Sequence, residues 1–299
     1  MPISKTVIIL SLLTLLFTSV PVRAERCVIL VLSGSTSRAF WSEIVDGAVK
    51  AGDELGYMIY ARGTVNDNDD STQIKIAQNF LSAYHCEGIV IAPSNSNVNR
   101  YVSRLKKQGI PAIYIDRDTG GERAAVIKTD NYSAGKLAAQ KLSDVLGKKG
   151  NVVLFRLQKG VVSTDARESG FIEEAQRIGL TIVASPYIGT IVGSAKRNAT
   201  SALHKAENID GIFTPNDTTT IGTMIALRSS EKHKNVVHLG FDKAPFIVDG
   251  LKKGALTGYI TQSPYQMGYQ SIYAINKVLR GESISDEITT PVNYVTHKK

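Results

Sequence analysis

The chain has 299 residues, 43% of them hydrophobic, and a formal net charge of +8. A chain of this length exceeds one comfortable hydrophobic core, so two domains are predicted. The basic residues form scattered pairs such as Lys106 and Lys107 rather than a dense stripe, which argues against nucleic acid as a partner.

The first 24 residues are predicted to be a signal peptide. Lys5 precedes the apolar run VIILSLLTLLF, and Val22 and Ala24 supply the small residues at −3 and −1 of a cleavage site. We therefore expect an exported, soluble mature protein that begins near Glu25.

From residue 27 to residue 262, short apolar strands alternate with amphipathic helical stretches, which is the signature of a parallel α/β architecture. Strands are predicted over 27–33, 57–61, 88–92, 111–115, 125–128, 151–156, 181–185, 210–214, 235–241 and 256–261, with a last strand over 288–295. Helices are predicted over 38–55, 71–83, 97–108, 132–146, 165–178, 195–206, 217–229 and 265–280.

The two cysteines, Cys27 and Cys86, each lie at the beginning of a predicted strand. If these strands are parallel neighbours, both sulfurs lie at the same N-terminal edge of a sheet, and an exported protein keeps such a pair oxidised. We predict a disulfide between them, with two unpaired buried thiols as the alternative.

Polar and aromatic side chains follow the predicted strands of both halves, where open parallel sheets bind their ligands. They are Ser35, Phe40, Trp41, Asp116, Arg117, Arg167, Asn216, Asp242 and Gln262. Carboxylates accept hydrogen bonds, guanidinium groups donate them and amides do both, which suits a small ligand covered with hydroxyl groups. The rings of Phe40 and Trp41 suit the apolar face of a sugar.

Each polar side chain also has a purely structural explanation. Asp116 suits a turn or a helix cap, and Arg117 could pair with Asp118 on the surface. Asn216 or Asp217 could cap the helix that follows. The occurrence of the whole set at the same ends of both predicted sheets favours a binding site.

The sequence closely resembles the type I periplasmic binding proteins, in particular the ribose- and galactose-type sugar receptors. The resemblance covers nearly the whole mature chain and rests on an ordered set of motifs: FWSEIVDGAVKAGDELGY, GIPAIYIDRD, TDNYSAGKLAAQKL, STDARESGF, GIFTPNDTTTIGTMIAL, LGFDKAPFIVDGLKKGALTGYITQSPYQMG and VLRGE.

The resemblance implies a ligand-binding set divided between two lobes. Its members are the aromatic pair Phe40 and Trp41, Asp116 and Arg117 on the first lobe, Arg167, Asn216 and Asp242 on the second, Gln262 at the hinge, and Ser35 or Ser37 in a loop. Thr190 and Ile191, near Tyr187, stand where many sugar receptors supply a further aromatic ring, and Lys243 stands where a small or acidic residue is common.

The implied fold has two Rossmann-like lobes with parallel sheets, joined by a three-crossing hinge. The expected lobes are 25–129 with 263–287, and 130–262 with 288–299. The implied function is capture of a monosaccharide by hinge closure, for an ABC importer or a chemoreceptor. The alternative is a periplasmic sensory adaptor that binds trimethylamine N-oxide or a furanosyl autoinducer and regulates a sensor histidine kinase. A monomer in the periplasm is expected in either case.

Other classes of protein are disfavoured by the motifs. An export segment stands where a transcriptional regulator would carry its helix-turn-helix domain. The five histidines show no metal-binding spacing, and there is no nucleophile elbow, P-loop or HExxH motif. We therefore expect no catalytic residues, no bound metal and no cofactor.

Overall fold

The computed structural model describes residues 26–297, and the predicted signal peptide lies outside these residues. The strands, in chain order, are β1 (Cys27–Leu32), β2 (Met58–Gly63), β3 (Gly88–Ile91), β4 (Ala112–Ile115), β5 (Ala125–Thr129), β6 (Gly150–Leu154), β7 (Leu180–Ala184), β8 (Gly211–Phe213), β9 (Val237–Phe241), β10 (Gly258–Thr261), β11 (Glu287–Thr290) and β12 (Asn293–Thr296).

The helices, in chain order, are α1 (Ala39–Leu55), α2 (Asp70–Tyr84), α3 (Val98–Lys107), α4 (Asn131–Leu146), α5 (Val162–Arg177), α6 (Val192–Lys205), α7 (Asp217–Arg228), α8 (Pro245–Lys252) and α9 (Pro264–Leu279), with one 3₁₀ turn at Glu231–His233. The part of the chain covered by the structure has no helix with the length and apolarity needed to cross a membrane.

The strands form two six-stranded sheets. The first has the order β11-β5-β4-β3-β1-β2, and the second has the order β12-β10-β9-β8-β6-β7. All neighbours pair in parallel except β12, which is antiparallel to β10. We call the first sheet with α1, α2, α3 and α9 lobe 1, and the second sheet with α4 to α8 lobe 2. The predicted α/β fold with two parallel sheets is confirmed.

The central strand β1 shows why these sequences form parallel sheets. All six of its residues are buried, and they alternate between two cores. Val28, Leu30 and Leu32 pack into the core on one face of the sheet, and Ile29 and Val31 pack into the core on the other face. A sheet covered by helices on both faces requires a continuous apolar run of this kind.

The end of the chain differs from the sequence prediction. The single strand expected over 288–295 is two strands in different sheets, β11 beside β5 and β12 beside β10. Pro291 separates them, and proline has no N–H group to donate to a continuous ladder. Helix α8 was absent from the predicted helices.

The chain passes between the two sheets three times, after β5, after β10 and after β11. The third crossing falls at residues 291–292, beyond the boundary at residue 287 that was expected from the sequence. The expected lobe boundaries between residues 129 and 130 and between residues 262 and 263 stay a prediction.

The two cysteines are bonded as predicted, with Cα atoms 4.7 Å apart. Cys27 begins β1 and Cys86 lies just before β3, which is the neighbour of β1. The disulfide therefore lies at the N-terminal edge of the first sheet, at the opposite end of its strands from the polar residues described below.

Each lobe contains one close helix pair in which glycine allows backbone contact. A Cβ atom at Gly47 of α1 would lie 2.0 Å from the carbonyl oxygen of Tyr265 in α9. A Cβ atom at Gly135 of α4 would lie 2.0 Å from the carbonyl oxygen of Arg167 in α5. In both lobes, a helix that follows a crossing therefore fixes the position of a helix that supplies cleft residues.

Candidate ligand-binding cleft

A cavity between the lobes brings together eight of the nine predicted site residues. They are Phe40, Trp41, Asp116, Arg117, Arg167, Asn216, Asp242 and Gln262. The enclosed space is about 30 Å³, which holds only one or two water molecules. A wider cavity of about 340 Å³ beside the first crossing shares Asp116 and Arg117 with it.

Asp116 and Asp242 occupy matching positions in the two lobes. Each follows the last residue of a strand and adopts a left-handed backbone conformation, with φ values of 64° and 69°. The backbone N–H of Asp116 donates to Ile127 O, and that of Asp242 donates to Ile260 O, both at 2.8 Å. Left-handed backbone at a residue other than glycine costs of order 1 kcal/mol and clusters at functional sites. Aspartate tolerates it better than most residues.

In lobe 1, Asp116 and Arg117 form a buried charged pair with Asp67. The Nε atom of Arg117 lies 3.4 Å from Oδ2 of Asp116, and Nη2 of Arg117 donates to Asp67. Burial raises the pKa of the Asp116 carboxyl, and the positive charges of Arg117 and Arg167 oppose this shift. The Nε and Nη1 atoms of Arg117 are buried without a hydrogen-bond partner. Arg117, which lines the cavity, therefore keeps hydrogen-bonding capacity that the protein itself does not satisfy.

In lobe 2, Arg167 is held by contacts on three sides. Its Nε donates to Asn131 Oδ1 at 2.8 Å, and its Nη1 donates to the carbonyl oxygen of Pro215 at 2.9 Å. The guanidinium carbon lies 4.0 Å from the centre of the Phe241 ring. Burial lowers the pKa of Arg167, and the nearby carboxylates, first of all that of Asp242, oppose this shift.

A hydrogen-bonded chain joins lobe 2 to the crossings. Thr129 donates to Gln262 Oε1 at 2.8 Å, and Gln262 Nε2 donates to Asp242 Oδ1 at 2.6 Å. Asp242 Oδ2 accepts from the backbone N–H of Asp217 at 3.1 Å. Burial raises the pKa of Asp242 to about 6, against the opposing effect of Arg167. The second and first crossings are thereby bonded to a cleft carboxylate.

Asn216 caps a helix, which is one of the roles that the sequence suggested, and its ligand-binding role stays a prediction. Its side chain accepts from the backbone N–H of Thr219 at 3.0 Å and forms a reciprocal capping box at the beginning of α7. It also lines the cavity and is only 6% exposed. The helix cap therefore fixes the orientation of a cleft amide.

The apolar wall of the cleft comes from lobe 1. The rings of Phe40 and Trp41 lie edge to face, with centroids 4.9 Å apart, and the Arg117 guanidinium carbon lies 6.0 Å from the Trp41 ring centre. Leu157, from the loop after β6, also lines the cavity. The cleft thus combines ionic groups from both lobes with aromatic rings from one.

Some residues from the sequence argument lie outside the enclosed cavity. The hydroxyl of Ser35 lies 2.8 Å from that of Ser37, within the loop before α1, so a binding role for Ser35 stays a prediction. Asp118 accepts from Arg123 and from the backbone N–H of Gly120 and forms a turn. Arg117 therefore does not pair with Asp118 on the surface.

The loop after β7 adds no aromatic ring to the enclosed cavity. The Tyr187 ring is covered by the guanidinium of Arg156 at 4.2 Å, and Ile191 is 58% exposed. Lys243 is also exposed.

Five residues that line the cavity were missed in the sequence. They are Arg38, Asp67, Leu157, Ser163 and Thr164. Asp67 follows β2, so the rule that found Asp116 would have found it if applied to the second strand. Ser163 and Thr164 lie in the first turn of α5, one turn before Arg167. Among residues 26–297, no cluster of histidine, cysteine or acidic side chains has the geometry to hold a metal ion.

The fold has two sheets of mainly parallel strands, which are joined by three crossings, and a buried polar cleft lies between them. This arrangement defines a two-lobed ligand receptor. The chain belongs to the family described as the periplasmic binding protein domain, whose model matches residues 28–283. The family predicted from the sequence motifs is confirmed.

Solved structures and relatives of known name agree with this assignment. The periplasmic component of an ABC-type sugar transport system from Hahella chejuensis has a TM-score of 0.85 and 33% identity, over 91% of this chain and 100% of that chain. A carbohydrate transporter solute binding protein from Agrobacterium radiobacter, solved with D-arabinose, has a TM-score of 0.85 and 28% identity, over 91% and 95% of the two chains. The D-allose-binding periplasmic protein of Escherichia coli (strain K12) is 28% identical over 265 residues, which are 85% of this chain and 84% of that protein.

Proposed function

We propose that the protein is a periplasmic sugar receptor, which binds one small polyhydroxylated molecule between its lobes and presents it to an ABC importer. The similar proteins are named as binding proteins for ribose, allose or other sugars in import systems. The proposal includes export to the periplasm with removal of residues 1–24, a monomeric state and no chemical step on the ligand. It also includes the expected lobes, with the last boundary moved from residue 287 to residues 291–292.

The observation that carries the proposal is the set of unpaired donors beside buried carboxylates. Two buried nitrogens of Arg117 lack a hydrogen-bond partner: Nη1, and Nε, which has only a 3.4 Å ionic contact with Asp116. A hydroxyl group both donates and accepts, so a polyol satisfies carboxylates and guanidinium groups together. An anion would satisfy only the guanidinium groups, and it has no hydrogen-bond donor to offer the buried carboxylates of Asp116 and Asp242 beside them.

Ligand affinity in this arrangement depends on complete pairing of the buried groups. A ligand that lacks one hydroxyl leaves a buried charged group without its hydrogen bond, at a cost of about 1–3 kcal/mol. This cost corresponds to roughly a tenfold to hundredfold loss of affinity. The cleft should therefore discriminate sharply between sugars that differ in one hydroxyl group.

The test is a thermal-shift screen of the mature protein. The probes are D-ribose, D-arabinose, D-allose, D-fucose, D-tagatose and myo-inositol, together with trimethylamine N-oxide and a furanosyl autoinducer preparation. A polyol at a hundred times its Kd stabilises the native state by about 2.7 kcal/mol, which raises the Tm by roughly 5–10 °C for a chain of this size. We expect one or a few polyols to do so.

Site variants with a matched control establish where the polyol binds. Asp116→Asn keeps a residue that tolerates the left-handed backbone, and Arg167→Lys keeps the positive charge. Both should abolish the thermal shift. Asp118→Asn, two residues from Asp116 but bonded within a turn, should retain it. A shift with trimethylamine N-oxide or the autoinducer alone would favour the sensory adaptor, and no shift with any polyol would contradict the sugar receptor.

A further inference from the structure

One ion pair joins the two lobes directly at the cleft. Arg38 precedes α1 in lobe 1, and Asp217 is the first residue of α7 in lobe 2. Arg38 Nε lies 3.3 Å from Asp217 Oδ2, and Arg38 Nη2 donates to Asp217 Oδ1. Of the ion pairs found in residues 26–297, this is the one that connects lobe 1 with lobe 2.

Both partners of this ion pair are also bonded to candidate ligand-binding groups. On the lobe 1 side, Asp67 lies 3.7 Å from Nη1 of Arg38 and also accepts a hydrogen bond from Arg117. On the lobe 2 side, the backbone N–H of Asp217 donates to Asp242. The ion pair and the ligand-binding carboxylate and guanidinium groups therefore belong to one bonded network.

The surroundings make the ion pair stronger than an ordinary surface pair. The Asp217 side chain is 7% exposed and the Arg38 side chain is 25% exposed. Burial opposes the charged form of Arg38, but Asp217 and Asp67 raise its pKa well above the ordinary value. A two-point contact between guanidinium and carboxylate with little solvent access is among the stronger polar contacts in proteins.

Two further contacts between lobe 1 and lobe 2 lie near the ion pair, and both are made by protein atoms only. Ala39, next to Arg38, packs against a buried apolar cluster of lobe 2 that includes Ala244 and Ile247. Asn68 Nδ2 lies 3.5 Å from the carbonyl oxygen of Lys159, from the loop after β6. Protein atoms alone thus hold the lobes together here.

We propose that Arg38 and Asp217 form a latch: Arg38 is a positioning residue that closes the lobes through Asp217 and thereby slows the release of the bound sugar. Separation of the lobes breaks the pair, so its free energy adds to the barrier for opening. The slower release of sugar rests on the proposed function, whereas closure of the lobes by the ion pair does not.

The first test measures closure without any ligand. Small-angle X-ray scattering of the mature protein gives the radius of gyration of wild type, Arg38→Gln, Asp217→Asn and the double variant. Loss of either partner should increase the radius, and the double variant should match the single variants because they remove one shared contact. Arg38→Lys, which keeps the charge, should recover most of the compact form.

The matched control is Arg123→Gln, which breaks the partly buried pair with Asp118 inside lobe 1. This variant should lose stability but keep the wild-type radius. Equal radii for wild type, Arg38→Gln and Asp217→Asn would overturn the latch, as would a double variant more open than both single variants.

The second test measures release of D-ribose, D-arabinose or D-allose, whichever binds in the thermal-shift screen, by stopped-flow displacement. Arg38→Gln and Asp217→Asn should each release it about tenfold faster, the factor that corresponds to about 1.4 kcal/mol. Faster release in Arg38→Gln alone would make Arg38 a direct sugar contact and refute the latch. If no sugar binds, the proposed function fails, and the scattering test still decides the latch.

Discussion

Replacement of Asp242 by asparagine tests the electrostatics of the cleft through the free energy of unfolding. Asparagine tolerates the left-handed backbone at this position, so the change removes mainly the ionisable group. It also loses one hydrogen bond, because Asp242 accepts from both Gln262 and the backbone N–H of Asp217, and an amide oxygen serves only one of them in that geometry.

The magnitude follows from the pKa of Asp242, which burial raises from 3.8 to about 6. Because the folded state holds the proton more tightly than the unfolded state, wild-type stability falls as pH rises through this window. A shift of about two units corresponds to roughly 3 kcal/mol. The Asp242→Asn variant has no carboxyl group at this position, so it does not lose stability in this way as the pH rises. Because the carboxyl of the unfolded state is already more than half ionised at pH 4, the stability of the variant relative to wild type should rise by about 2.5 kcal/mol between pH 4 and pH 8.

Urea unfolding followed by far-ultraviolet circular dichroism at pH 4, 5, 6, 7 and 8 measures this difference. Asp118→Asn is the control. Burial opposes ionisation of Asp118, but hydrogen bonds from Arg123 and the backbone N–H of Gly120 lower its pKa below 3.8. Its effect on stability should therefore be constant above about pH 5. Parallel pH profiles for wild type and Asp242→Asn would refute the electrostatic reasoning.

Two further predictions concern the scaffold. Gly135→Ala places a Cβ atom 2.0 Å from the Arg167 carbonyl oxygen, so it should lower the free energy of unfolding by about 1–3 kcal/mol and weaken sugar binding. Gly193→Ala, whose nearest neighbour is 3.7 Å away, should instead raise stability by up to about 1 kcal/mol; equal effects in urea unfolding would contradict the packing argument. Replacing Cys27 and Cys86 by alanine should lower the free energy of unfolding by about 4 kcal/mol, because the disulfide closes a loop with a sequence separation of 59 residues. Sugar affinity should not change, because the disulfide lies far from the cleft; a changed affinity in calorimetry would show that the disulfide and the cleft are coupled.

The architecture could be predicted from the sequence because it depends on local pattern. Continuous apolar runs such as that of β1 indicate strands covered on both faces, and the residues after those strands lie at one edge of the sheet. This reasoning located Asp116, Arg117 and Asp242. It did not predict the break at Pro291, because the residues on either side of it are equally suited to strands.

The contacts between the lobes could not be predicted in the same way. Arg38 stands at the beginning of a predicted helix, where no apolar periodicity indicates the direction of its side chain, and its partner Asp217 is 179 positions away in the chain. Ser35 lies only three residues before Arg38 but remains in a turn with Ser37. Which loop residue reaches the cleft depends on side-chain direction and on the approach of the lobes, and neither leaves a pattern in the sequence.

The position of Trp41 has a practical consequence. It is the only tryptophan in the 299-residue sequence, and its ring lies in the cleft wall with the Arg117 guanidinium 6.0 Å away. Indole emission responds to nearby charge and to water, and both change when a molecule enters the cleft. The protein therefore carries its own optical reporter of occupancy, so a label-free fluorescence titration can follow binding without a signal from any other tryptophan.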